Sequence, residues 1–303
     1  MPSNYDHLMG WKDEPKAVYA AMADLPFPLF KDAYGNIKGT GKGKTLLLPD
    51  IVRKVIGYFP MGHQLTGDCV SFGAGYATTV LSALQIALGK LEVFEGEVAT
   101  EPIYGGSRIQ VGGGALGYGQ GSVGLWAAKW LNRYAVIIRK NYTDFGIDLS
   151  KYDVDKATKW GNPNNGCPDA LVKANSNHLV KTISQVNSYE EARDAIYNGY
   201  PITVASNVGF SSMTRDSEGF MRASGSWAHQ MYFCGVKDDN RPGLLCCNSW
   251  GTDWSHGPRP MDIPEGSFFV DADTVNMMFA QGDSWVFSNF DGFEVQELTL
   301  DWD

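Results

Sequence analysis

The sequence predicts an α+β protein of two lobes, a helical one from the first half and a β-rich one from the second, with a cleft between them. Three observations lead there. Apolar residues recur at helical spacing in the first half and in strand-like runs in the second. The length, 303 residues, suits two packed lobes or one large domain. Hydrophobic residues make up 44% and aromatic residues 13%, enough for a substantial core and for rings that line a cleft.

Residues 1 to about 45 are punctuated by Pro and Gly, with helical character from Pro15 to Asp24. Gly39-Thr-Gly-Lys-Gly-Lys-Thr45 approaches a phosphate-binding loop, but Lys38 stands where that pattern needs glycine and no buried strand precedes it. It reads as a flexible loop before a helix from about Pro49 to Gly57. Between Cys69 and Lys90, Val70, Ala74, Ala77, Val80, Leu81, Leu84 and Leu88 form a wide apolar stripe at helical spacing. A mostly buried helix follows from it, with Asp68 as N-cap and Gly89 as its stop. The glycine-rich stretch from Tyr104 to Gly124 either lets another chain approach its backbone closely or is a mobile loop. A second amphipathic helix runs from about Ser122 to Tyr134.

Strands are expected at Lys181–Val186, Pro201–Ala205, His229–Val236, Gly243–Cys247 and Gly266–Val270. Between the first two, Ser188 and Glu191 have capping-box spacing at the head of a helix ending at Tyr197.

Composition removes several function classes. With 25 Lys+Arg against 34 Asp+Glu, the net charge of −9 argues against a nucleic-acid partner, and the basic stretch Lys38–Lys44 is short. No apolar run reaches the ~18 residues of a membrane span. The first residues lack the basic-then-apolar order of a signal peptide, so Asn141-Tyr-Thr143 carries no glycosylation reading. The five cysteines, Cys69, Cys167, Cys234, Cys246 and Cys247, are odd in number and scattered, which fits a reducing compartment. Cys234, Cys246, Cys247 and His256 lack zinc-ligand spacing, and neither a metal nor a cofactor is expected.

Cys69 opens a buried helix, where unpaired amides and the helix dipole favour an anion and lower a thiol's pKa. A thiolate nucleophile also needs a base and a group that orients the base. His229 and Asn248, at the ends of expected strands, could supply both across a cleft.

The segments around these residues resemble a family. Gln64-Leu-Thr-Gly-Asp-Cys-Val-Ser-Phe72 looks like the oxyanion-glutamine and nucleophile segment of papain-like cysteine peptidases. Gly121-Ser-Val-Gly-Leu-Trp-Ala-Ala-Lys-Trp130 resembles their substrate strip and second helix, and Trp227-Ala-His-Gln-Met-Tyr-Phe-Cys-Gly235 their histidine strand. The most specific piece is Asn248-Ser-Trp-Gly-Thr-Asp-Trp254. The likeness spans about residues 60 to 275.

This resemblance implies a papain-like two-lobed fold, with a helical lobe and a β-barrel-like lobe, and a thiol endopeptidase acting through an acyl-thioester on a peptide or protein substrate. Cys69 would be the nucleophile, His229 its ion-pair partner and later acid, and Asn248 the group orienting the imidazole under the shield of Trp250. Gln64 would help form the oxyanion hole, where one donor is typically worth ~10²–10³ in rate. Gly121, Ser122, Val123 and Gly124 would bind the substrate backbone. The domains implied are an N-terminal extension (1–60), a core (61–275, divided near 175) and a C-terminal tail (276–303).

Departures are visible too. The family's Cys-Gly-Ser-Cys-Trp appears as Thr66-Gly-Asp-Cys-Val70, which sets Asp68 and its charge beside the thiolate. Gln64 lies five positions before Cys69, one fewer than usual, with His63 in the sixth. The long inhibitory prosegment of secreted members is expected to be missing. These features are similar to divergent homologues of tailed bacteriophages, implying a host-cytoplasmic or virion location and other virion proteins as partners. They also leave open an inactive structural or docking protein on the same fold, or an amidase of peptidoglycan cross-bridges.

Overall fold

The computed structural model describes residues 5–90, 93–177 and 180–298. In chain order, α1 (Pro15–Met22) and α2 (Phe30–Ala33) precede β1 (Thr45–Leu47), α3 (Leu48–Ile56) and α4 (Cys69–Ala87). Next come α5 (Thr100–Gly106), α6 (Gly124–Arg133), a short β2 (Asn141–Tyr142) and β3 (Ile147–Asp148) hairpin, α7 (Val154–Gly161) and α8 (Asp169–Asn175). The second half holds β4 (Thr182–Gln185), α9 (Tyr189–Tyr197), β5 (Ile202–Val208), β6 (Ser226–Lys237), β7 (Gly243–Cys247), β8 (Ser267–Asp271), α10 (Ala272–Phe279) and β9 (Asp283–Ser288).

The helical lobe is built around α4. Its residues are nearly all buried, among them Val70, Phe72, Ala77, Val80, Leu81 and Leu84, because α3, α5, α6 and β6 pack around it. By length and apolarity alone this helix could cross a membrane. Here its all-round apolar surface is consumed by protein neighbours, as expected for a central helix. Gly89 follows with φ +66°, the left-handed conformation that ends a helix cheaply only at glycine.

The second lobe is an antiparallel sheet ordered β4-β9-β5-β6-β7-β8, with β1 also paired to β6. The strand path does not close, so the barrel-like lobe that the resemblance implies is an open sheet, whose edge strands β4 and β8 are bridged by loop residues, Leu29 to Gln185 and Phe220 to Phe269. The twelve residues of β6 make it long enough to pair with β5 along its first part and with β1 along its last. This places Ser206 opposite His229.

Residues 276–303 are not a tail throughout. Strand β9 lies between β4 and β5, pairing Ile183 with Phe287 and Thr203 with Trp285. Its side chains Trp285, Val286 and Phe287 are fully buried. The glycine-rich stretch is also more ordered than a mobile loop: α5 runs on into a π-helical turn from Ser107 to Val111.

Candidate active site

Helix α4, the start of β6 and the segment after β7 converge on one place. Cys69 is the first residue of α4, and the N–H of Gln230, on β6, donates to its Sγ at 3.4 Å. His229 is the preceding β6 residue, and its Nε2 is 2.7 Å from Asn248 Oδ1. The same Oδ1 accepts the Ser249 N–H at 2.7 Å. A backbone N–H can only donate, so this atom of Asn248 must be an acceptor and His229 Nε2 must carry the proton. In the neutral ring Nδ1 is then the bare nitrogen, and it has no hydrogen-bond partner. Trp250 lies over the imidazole, ring centroids 4.7 Å apart, and covers the His229–Asn248 bond from solvent.

The Asn-Ser-Trp-Gly segment is fixed against the segment before α4. Gln64 N–H donates to Ser249 O at 2.8 Å, and Gly251 N–H to Gly62 O at 2.9 Å. The Ser249 hydroxyl donates to Gln64 Oε1, which identifies the other amide atom as the nitrogen. Its two protons go to Thr66 O and Leu8 O, each at 2.7 Å.

Leu8 belongs to a stretch of the chain's own N-terminal region that lies across the site. Tyr5 stacks on Trp250 at 4.6 Å with the rings 5° from parallel. The Gly10 N–H lies near enough to Cys69 Sγ to favour its anion. A side chain at Gly10 would overlap the Gly67 carbonyl, so only glycine lets the strap come this close. Ser122 N–H donates to Gly10 O at 2.8 Å, Lys12 N–H to Ser122 O at 2.9 Å, and Trp11 N–H to Ala228 O at 3.0 Å. The strap is thereby sewn to both lobes, running parallel to the strip at Ser122.

Of the four glycine-strip residues, only Ser122 offers both backbone groups to an extended chain. Gly121 is committed elsewhere: its N–H donates to Tyr104 Oη at 3.1 Å and its carbonyl accepts from Arg108 Nη1. Val123 O accepts from the Trp126 and Ala127 amides, and Gly124 N–H donates to Asp283 Oδ2 at 2.7 Å. Within the strip the strap's hydrogen bonds go to Ser122, while Gly121 and Gly124 are held by Tyr104, Arg108 and Asp283. Trp250 caps the imidazole and the strap rather than touching the strip.

Burial reverses the expected electrostatics. The thiol of Cys69 is pushed up to about 12 by burial, which outweighs the N–H groups of Gln230 and Gly10 and the helix end. His229 is pushed down to about 4, again by burial, against the opposing bond to Asn248. Beneath the strap the pair is neutral thiol and neutral imidazole. Asp68 does not cap α4; its Oδ2 accepts the Tyr152 hydroxyl at 2.8 Å and its Oδ1 has no partner. Burial lifts its carboxyl to about 8, so at neutral pH it is protonated and sets no negative charge beside the sulfur.

Sequence reasoning missed Leu8, Gly10, Trp11, Tyr104, Arg108 and Asp283. None has a local signature, since each acts through a partner distant in the chain. For Asp283 a weak signal existed in the apolar run Trp285-Val-Phe287. Among the described residues no cluster of three or more His, Cys, Asp or Glu side chains could hold a metal ion.

No family model matches the sequence, and no curated protein matches it. Solved structures do. Xylellain, a cysteine protease from Xylella fastidiosa, is 14% identical, with a TM-score of 0.54 over 96% of this chain and 94% of its own. A recombinant stem bromelain precursor is 16% identical at a TM-score of 0.54, covering 94% of this chain and 78% of that one. Procathepsin B S9 from Trypanosoma congolense is 13% identical at 0.54, covering 93% and 86%. At these identities the likeness is one of fold, and the fold is the papain-like, two-lobed α+β architecture of these cysteine proteases.

Proposed function

We propose that the chain is a thiol peptidase held closed by its own N-terminal strap. One observation carries this reading: an extended segment of peptide already lies in the groove. It pairs with Ser122, presents the Leu8 carbonyl to Gln64 Nε2 and passes close to Cys69 Sγ. A groove that accepts this peptide has the donors and the shape to accept another.

With the strap withdrawn, water reaches the sulfur and the burial that holds thiol and imidazole neutral is relieved. The bare Nδ1 of His229 then takes the thiol proton, and the ring becomes an imidazolium whose Nε2–H stays on Asn248 Oδ1. The Cys69 thiolate attacks the scissile carbonyl carbon. The oxyanion takes the Gln64 Nε2–H that Leu8 O now holds, a donor worth ~10²–10³ in rate. His229 Nδ1–H passes its proton to the leaving amine as the C–N bond breaks, giving an acyl-thioester. Water, deprotonated by the same nitrogen, hydrolyses the thioester and restores the thiol.

The second reading is a structural protein, for instance of a phage particle, that keeps the groove permanently filled. The neutral thiol and imidazole under the strap favour it. Labelling with an epoxysuccinyl thiol probe separates the two. Gly10→Ala forces a methyl group against Gly67 O and should lift the strap, at about 1–3 kcal/mol for such an overlap. The open population, and with it the labelling rate, should rise about 10- to 100-fold, and Cys69→Ala should abolish labelling. Unlabelled Gly10→Ala protein, folded by circular dichroism, would support the structural reading.

A further inference from the structure

Strands β6 and β7, which carry His229 and lead into Asn248, also bring two further sulfur atoms together. Cys234 lies on β6 beyond His229, and Cys247 ends β7 immediately before Asn248. Their Sγ atoms are 3.3 Å apart, and both side chains are fully buried. Other thiols are turned elsewhere. Cys246 Sγ faces Met231 Sδ at 3.6 Å, on the opposite side of β7 from its neighbour Cys247, and Cys69 Sγ takes the Gln230 N–H.

The backbone sets this contact. β6 and β7 pair Tyr232 with Cys247 and Phe233 with Cys246, and the register then shifts so that Gly235 meets Leu245. Cys234 is the extra residue at that shift, without an opposite number on β7. The two thiols therefore meet diagonally across the ladder, at the point where an extra residue bends its strand. Gly235 keeps the strands close, because a Cβ there would sit 2.9 Å from Leu245 Cβ and from Leu47 Cδ2. A disulfide wants its sulfurs at about 2.05 Å, so closure asks for an approach of about 1.3 Å, shared between two side chains. Burial pushes the Cys234 thiol up, so the pair reacts when the strands open, in folding or local unfolding, rather than in the closed core.

We infer that Cys234 and Cys247 form a redox pair that closes into a disulfide when the folding or locally opened chain meets a small-molecule disulfide such as oxidised glutathione. One cysteine thiolate attacks the S–S bond of the oxidant, and a mixed disulfide forms as the first glutathione thiol leaves. The other thiolate attacks the protein sulfur of that mixed disulfide and releases the second glutathione thiol. Two electrons pass from the protein pair to the oxidant, and the two cysteine protons end on the released thiols. The product ties β6 to β7 directly beside Asn248 and closes a loop of about 14 residues. It leaves Cys69 out of the bond, and it stands whether or not the groove cleaves peptides.

The test equilibrates the full chain with oxidised and reduced glutathione at several ratios, in urea just below the unfolding transition, and then blocks free thiols with an alkylating agent. Mass spectrometry after digestion between the two cysteines should find Cys234 joined to Cys247. Once urea is removed, the linked chain should melt about 3–8 °C higher than the reduced one. Cys234→Ala, which loses one sulfur, should show neither the link nor the shift, and Cys247→Ala serves the same purpose if that variant fails to fold. Three results would each overturn the inference: alkylation of both cysteines at every ratio, a bond from either one to a different cysteine or to glutathione in place of the pair, or a linked chain that melts no higher than the reduced one.

Discussion

Two carboxylates flank the groove, each buried and each beside the amino end of a helix, and the fold treats them in opposite ways. Asp283, against α6, is given four N–H donors. Asp68, immediately before α4, is given the Tyr152 hydroxyl and keeps one oxygen without a partner. Burial raises the pKa of both. The difference lies in what each does for its neighbours. Asp283 joins α6, β9 and the strap, so its acceptor positions are structural. Asp68 joins little, and as a neutral acid it leaves the adjacent sulfur free of a competing charge. A helix end thus does not dictate the state of an acid beside it: burial raises both, and the donors that reach the oxygens only oppose it.

The comparison is broken most severely by pH. In the unfolded chain Asp68 holds its proton only below about 4, whereas in the folded chain it holds it up to about 8. Between those values the folded state binds the extra proton, so stability falls as pH rises through the window and levels off above it. Asp68→Asn copies the neutral acid and keeps an acceptor for Tyr152. The advantage of the variant over the wild-type chain should therefore grow by up to about 1.4 kcal/mol per pH unit from about pH 4 to 8. Urea unfolding of both chains at three pH values checks this. A gap that stays constant across the window would mean that Asp68 is ionised in the folded protein.

Asp283 is sensitive to truncation, because four N–H donors depend on it. Asp283→Ala strands the amides of Gly124 and Leu125 and the indole N–H groups of Trp285 and Trp11, all in buried positions. A loss of about 3–5 kcal/mol in unfolding free energy is expected. A loss under about 1 kcal/mol would show that water substitutes for the carboxylate and that the site is wetter than its burial indicates.

The same pair marks how far the sequence could be read. Asn248-Ser-Trp-Gly was legible because its roles are local: Ser249 N–H fixes the Asn248 oxygen, and Trp250 covers the bond two residues away. The α4 stripe and most strands were legible from periodicity, and the open end of the helix at Gly89 from its glycine. Asp68 was misread as an N-cap because an acid before a helix usually turns its oxygen back to the first amides, and Tyr152, far along the chain, claims it instead. Asp283 was assigned to a tail because a six-residue strand following a short helix has no signature of being central to a sheet. The strap was missed for a related reason. Nothing local to Leu8-Met-Gly-Trp11 announces that a carbonyl will reach Gln64 or an indole Asp283, and the one clue, a glycine between larger residues, has meaning only once Gly67 is opposite it.

The smallest effect should come from Tyr152, and it sharpens the contrast most finely. Its ring packs edge-on against Phe72 at 5.0 Å, an interaction that Tyr152→Phe retains. The hydroxyl is what Asp68 loses, and it also lies beside the Leu65 backbone. Removing it should cost about 1 kcal/mol near pH 6. Because that hydroxyl holds the Asp68 pKa down, its loss should also carry the fall in stability to pH values above 8. A variant whose stability profile is displaced downward without moving along the pH axis would show that Tyr152 supports the Leu65 backbone and not the acid. In that case the environment of Asp68 would be set by burial alone, and the contrast with Asp283 would be one of four donors against none.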